Sequence, residues 1–284
     1  MGLKVKQKNS PRKQNFIIDF GLIGGWRRAL FNPADVDTRG GMREKMAMRS
    51  FWAAVKFLTA SSSPNRVAIP AREIAQSTPF FPLVGFCLGL ILVLLNRILE
   101  PYLESEILGV VLVALLMLAT RAQHLEGLRE TFDSISLGGD GEGAKGSRIG
   151  IFGMLAVLVV LMLKFRAIEV MGEARNQGLL LAPLFGRWAM VVLAYGYRPK
   201  EEGAGQIMLE RVRGSQLFWA TVLALVLVIP FAGRLGLWIA LWVSLLTLLS
   251  GLALHRRMGG VSRDDFAAMA EVGEAFALVL FASP

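Results

Sequence analysis

Seven apolar runs separated by short charged segments constrain this chain more than any single motif does. They lie at about residues 80–95, 107–121, 149–165, 179–197, 216–233 and 235–254, with a last stretch near 272–282. A helix crossing about 30 Å of hydrocarbon needs roughly 20 residues. Several of the runs are about 14 to 17 residues long, so Lys164, Arg166 and Arg198 at their ends are expected to reach out to the interface and make up the deficit. With 54% hydrophobic and 19% charged residues in 284 positions, the chain is too apolar for an ordinary soluble domain. The expected fold is an all-α, polytopic membrane helical bundle with about six to seven transmembrane helices. The segment from Met48 to Thr59 is too short to cross and is expected to lie at the surface or re-enter. Gly85 and Gly89 form a G-x-x-x-G that permits close helix contact, although glycine is common in membrane helices generally.

The distribution of charge supplies topology. A net charge of +9 does not point to nucleic acid, because the basic residues fall at the ends of apolar runs. Segments 121–149, 198–215 and 255–270 hold Arg121, Arg129, Lys145, Arg148, Arg198, Lys200, Arg211, Arg213, Arg256, Arg257 and Arg263, whereas segment 99–106 holds Glu100, Glu104 and Glu106. The positive-inside rule therefore puts the first three on the cytoplasmic side of a bacterial or archaeal membrane, with membrane lipid around the bundle. Residues 1–45 are basic and read as a partly disordered cytoplasmic arm preceding a membrane domain over 46–284. Cys87 stands alone, which excludes a disulfide framework and a thiolate metal site.

Ionisable residues concentrate just after the second run. A helix continuing from that run through residue 133 places Glu126, Glu130 and Asp133 at i, i+4 and i+7, on one face. Three such acids repel one another unless a cation neutralises them, and Mg²⁺ beside a phosphate substrate is the economical candidate. An ordinary solvated helix end explains the same pattern. Gly138 to Gly146 form a glycine-rich segment leading into Ser147-Arg148, which can hold phosphate through backbone N–H groups or serve as a flexible linker. Beyond His255, the acids Asp264, Glu271 and Glu274 fall near one helix face, at i, i+7 and i+10.

From about Met48 to the end, these motifs resemble the cobalamin synthase family, the adenosylcobinamide-GDP ribazoletransferases. The pattern F-W-x-A-x-x-F-L-T stands at Phe51 to Thr59 with one shift, and F-P-L-V-G at Phe81 to Gly85. The central H-L-D-G-L-A-D-T-x-D-G corresponds to His124 through Ser134, S-R-x-G to Ser147 through Gly150, and E-E-G-x-G to Glu201 through Gly205. G-G-x-T-G-D corresponds to Gly259 through Asp264, followed by Glu271 and Glu274. The chain departs from the pattern at Glu126 and Glu130 (Asp in the family), Arg129 (Ala), Ser134 (Gly), Gly146 (Asp) and Ser262-Arg263 (Thr-Gly).

The resemblance implies a late step of cobalamin biosynthesis. α-Ribazole, or its 5′-phosphate, is joined to adenosylcobinamide-GDP and GMP is released. It implies catalytic and Mg²⁺-binding roles for Glu126, Glu130 and Asp133, one of them serving as base. Phosphate contacts fall to Arg148, Arg187 and Lys200, and a second polar wall to Asp264, Glu271 and Glu274. A homo-oligomer, or a complex with other cobalamin-assembly enzymes, is a further expectation, and nucleic acid is not an expected partner. The departures keep open a catalytically inactive, cobinamide-binding relative. A membrane transporter or scaffold is the other alternative, but a transporter places ionisable residues in mid-span, and here nearly all lie at span ends, Arg187 being the main exception.

Overall fold

A computed structural model describes residues 33–59, 70–136, 150–200 and 212–283. The described residues divide between two units, one ending at Met46 and one beginning at Ala47. Helices supply its regular structure: α1 Pro33–Leu58, α2 Ala71–Ser77, α3 Phe81–Leu99, α4 Ser105–Ala119, α5 Gln123–Ser136, α6 Ile151–Val170, α7 Arg175–Gly196, α8 Gly214–Met258 and α9 Arg263–Ala282. Short 3₁₀ turns, Thr78–Phe80 and Gly172–Ala174, lead into α3 and α7. Helix α1 begins at Pro33, upstream of the Met48 start read from the sequence.

The second unit is organised around α7. A helix apolar on all sides must be enclosed on all sides, and from Gly178 to Ala194 nearly every residue of α7 is buried. Helices α3 and α9 flank it. The G-x-x-x-G of α3 explains the first contact: a side chain at Gly85 would strike the Pro183 carbonyl, and one at Gly89 would strike the Leu180 backbone. The glycines thus let two helix backbones meet directly. Asn96 donates to Asn176 Oδ1 at 3.2 Å farther along the same pair.

Helix α8 is a hairpin. Gly233 adopts φ 48°, ψ −125° in the middle of its 45 residues. A side chain at Gly236 would collide with Val228, although residues eight apart in a straight helix lie about 12 Å apart. Both ends also meet one segment: the Cβ direction of Gly214 lies 3.6 Å from Tyr195 Oη, and the His255 ring centroid is 6.4 Å from that of Tyr197. The runs 216–233 and 235–254 are its two arms. They leave Phe218, Trp219, Val226, Ile229, Trp238 and Leu241 exposed, as a lipid-facing surface does.

Among the described residues, four helical stretches are long and apolar enough to cross a bilayer, or five if the bent pair α4–α5 counts as one. The runs 216–233 and 235–254 share one of these stretches as the two arms of the hairpin. The last run lies inside α9, where Glu271 and Glu274 interrupt the apolar pattern. The expected continuous helix through residue 133 does not form. Arg121 (φ 52°) and Ala122 (φ 54°) both adopt left-handed backbone, a conformation costly for side-chain-bearing residues, and α5 leaves α4 at 88°. Residues 123–136 of the segment that reads as a loop from 121 therefore form a separate helix.

The α3–α7 contact predicts that Gly89→Val lowers stability by about 1–3 kcal/mol through overpacking. Gly196→Ala, which meets nothing within 4 Å, is expected to stay within about 0.5 kcal/mol. Thermal unfolding in detergent measures both, and equal midpoints for the two variants contradict the packing argument.

Candidate active site

Glu126, Glu130 and Asp133 share one face of α5, and Arg129 sits among them. Its Nη2 lies 3.2 Å from Glu126 Oε1 and 2.8 Å from Glu130 Oε1, while Nη1 lies 3.2 Å from Asp133 Oδ2. Glu126 and Glu130 are exposed, whereas Asp133 is buried. Asp133 Oδ1 accepts the Gly153 N–H at 2.7 Å, one of the orphan donors of the first turn of α6. The helix dipole favours a carboxylate there. Gly150 and Gly153 make room for it, since a side chain at either position would strike the Asp133 carboxylate.

The opposite face of α5 packs on α9. A side chain at Gly127 would meet Ala267 Cβ at 2.5 Å and the Asp264 carbonyl at 2.7 Å, so glycine sets this approach. Thr131 donates to Asp265 Oδ1 at 2.8 Å. Asp265 Oδ2 accepts the Ser262 N–H at 2.7 Å and its hydroxyl at 2.9 Å, closing a capping box at the start of α9. The buried acid is thus Asp265, while the sequence-predicted Asp264 is half-buried. The S-x-x-D spacing of Ser262 and Asp265 is the signal that identifies it. Lys200 is exposed and held nearby through its backbone: its N–H donates to Val261 O at 3.1 Å, and Val261 N–H donates to Arg198 O at 2.9 Å. Arg148, the glycine-rich segment and Glu201 to Gly205 lie outside the described residues.

A second polar cluster lies in the bundle interior. Lys164 Nζ donates to Glu271 Oε2 and Glu274 Oε1, both at 2.6 Å. Arg187, fully buried, donates to Glu274 Oε2. His124 Nδ1 stands 3.8 Å from Glu271 Oε1, beyond hydrogen-bond reach. Two cations and two acids balance, as buried charges must. Lys164 therefore does not extend to the interface as the sequence suggested. Its side chain is 3% exposed and turns inward between two acids. The sequence-predicted residues Arg187, Glu271 and Glu274 come together here, on each other and on Lys164, rather than beside Glu126 and Glu130.

The expected Mg²⁺ set does not fit this arrangement. Arg129 occupies the space between the three carboxylates, and both Asp133 oxygens are engaged. Among the described residues, no group of three His, Cys, Asp or Glu side chains is placed to hold a metal ion.

The sequence was compared with known proteins. A family described as Cobalamin-5-phosphate synthase matches residues 50–282. The adenosylcobinamide-GDP ribazoletransferase of Syntrophobacter fumaroxidans is 35% identical over 241 residues, covering 80% of this chain and 96% of the relative. The proteins of the same name from Geotalea daltonii and Pseudomonas entomophila are 29% and 32% identical, each over 82% of this chain and over 96% and 98% of the relatives. No solved structure matches.

The interior cluster yields a stability prediction. Lys164→Met leaves two buried acids facing one cation and is expected to cost about 3–5 kcal/mol. Adding Glu271→Gln restores balance and is expected to recover much of that loss. Thermal denaturation in detergent reads both changes, and a double variant no more stable than Lys164→Met contradicts the charge-balance account.

Proposed function

The chain belongs to the cobalamin-5-phosphate synthase family, and from that premise we propose that it joins α-ribazole, or its 5′-phosphate, to adenosylcobinamide-GDP with release of GMP. The observation that carries the reading is convergence. The segments bearing the family-like motifs meet through Gly153 N–H on Asp133, Thr131 on Asp265, and the close approach of Gly127 to Asp264.

The chemistry is a phosphoryl transfer. A ribose hydroxyl of the ribazole forms an O–P bond to the β-phosphorus, the bond from that phosphorus to the GMP oxygen breaks, and the hydroxyl proton passes to a base. Glu126 and Glu130 are exposed carboxylates on α5 and supply that base. Asp133, fixed by α6 and Arg129, positions the helix that carries them. Arg148 and Lys200 bring positive charge for the pyrophosphate. Lys164, Arg187, Glu271 and Glu274 serve this site from behind, by fixing the helices on which it stands.

The apolar helices and the charge distribution support the membrane setting of this reading. The apolar faces of α6 and α8 lie against lipid, and the basic segments 121–149, 198–215 and 255–270 face the cytoplasm, where a GTP-derived substrate is made. The placement of Arg129 among the acids favours one competing reading, an inactive relative that binds cobinamide without turnover.

Two experiments separate these readings. Purified protein in liposomes, given adenosylcobinamide-GDP and α-ribazole phosphate, is expected to release GMP. Asp133→Asn is expected to lower the rate at least about 100-fold, since small displacements of positioned groups cost that much. Retained cobinamide binding with no GMP release selects the inactive relative. For orientation, single cysteines in the three basic segments of a Cys87→Ser background are expected to label from the cytoplasmic side. Labelling of any of them only from outside contradicts the shared face.

A further inference from the structure

We propose that Arg129 is a built-in counter-cation that closes the acidic face of α5 to divalent metal ions. Its guanidinium reaches all three acids at once: Nη2 bridges Glu126 and Glu130, and Nη1 takes Asp133. The helix makes this possible, since Arg129 lies three residues after Glu126, one before Glu130 and four before Asp133, the spacings at which side chains share a face or flank it. The arginine is tethered to the same turn as its partners, so it competes with any solute cation at a high effective concentration.

The contacts are unequal, and the difference identifies where exclusion arises. The Glu126 and Glu130 side chains are 68% and 46% exposed, and ion pairs that open to water are individually weak. The Asp133 and Arg129 side chains are 10% and 27% exposed, and the other Asp133 oxygen is taken by Gly153 N–H. An incoming Mg²⁺ or Mn²⁺ would need to shed water and gather oxygens at short, near-octahedral distances. It finds the most buried carboxylate already bonded on both oxygens, with a positive charge between it and the other two. A planar guanidinium tolerates this spread of acceptors where a point charge does not. The inference concerns only the cation that balances these acids, so it holds whether or not the chain catalyses transfer.

The test is a Mn²⁺ titration of the full-length protein in detergent, with free Mn²⁺ followed by electron paramagnetic resonance. Wild type is expected to show no saturable site that depends on Asp133. Arg129→Ala and Arg129→Gln are expected to gain one, at least about tenfold tighter than any binding to wild type, because removing the cation leaves three acids in mutual repulsion. Adding Asp133→Asn to either variant is expected to abolish it. Stoichiometric Mn²⁺ binding to wild type that disappears in Asp133→Asn overturns the proposal, and this comparison needs no Arg129 variant to fold. Arg129 variants that fold and bind Mn²⁺ no more tightly than wild type overturn it equally.

Discussion

The ion cluster of Lys164, Glu271, Glu274 and Arg187 is the constraint on which the arrangement of helices depends. Each member would be costly alone in an apolar interior, and a charge at membrane depth faces inward for the same reason. The cluster can exist only if α6, α7 and α9 are in a register that brings all four groups within hydrogen-bond distance. Glu271 and Glu274 lie one turn apart on α9, so Lys164 can bridge them while Arg187 takes the far oxygen of Glu274. A slip of any of the three helices by one residue, about 1.5 Å and 100° of rotation, would strand a charge. The cluster adds little net stability over apolar residues of like volume, but it strongly penalises the wrong register.

That register carries along α9 to its first turn. Helix α9 holds the interior acids near its middle and Asp265 in its first turn, so fixing the one fixes the other. Asp265 holds Thr131 of α5, and Gly127 brings α5 against the start of α9. Asp133 then ties the far end of α5 to the first turn of α6, the helix that also carries Lys164. The three helices form a closed circuit. Exposed acids on a short helix that leaves α4 at a right angle can hold a defined geometry only because its other face is bound in this way.

Much of this was legible in the sequence, and the misses share a cause. The apolar runs fixed the all-α membrane class, Gly85 and Gly89 marked the α3–α7 contact, and the runs 216–233 and 235–254 prove to be arms of one hairpin bent at Gly233. Helix period put Glu126, Glu130 and Asp133 on one face, which the structure retains. Lys164 escapes a sequence reading because a lysine at the end of an apolar run has two outlets, the interface or a buried acid, and one-dimensional pattern does not show the acid 107 residues later. The break at Arg121 and Ala122 was hidden because neither residue favours left-handed backbone. Asp265 has the capping spacing, but the family-like pattern ends one residue earlier and points to Asp264 instead.

The departures from the family-like pattern on α5 gain a common explanation from the geometry. Read along the sequence, Glu126, Arg129 and Glu130 are three separate changes, from Asp, Ala and Asp. In the folded chain they are one device. An arginine placed where the pattern has alanine needs partners three residues before and one residue after it, and these pairs close at 3.2 and 2.8 Å. Each glutamate carries one methylene more than the aspartate of the pattern and so reaches farther toward the guanidinium. Lengthening both acids brings them to the guanidinium. The third acid remains Asp133, and its role differs: it is buried, accepts the Gly153 N–H, and has room only for a short side chain between Gly150 and Gly153. The same turn of helix therefore carries two kinds of acid. Two long ones are fitted to a cation supplied by the chain, and one short one is fitted to a helix terminus.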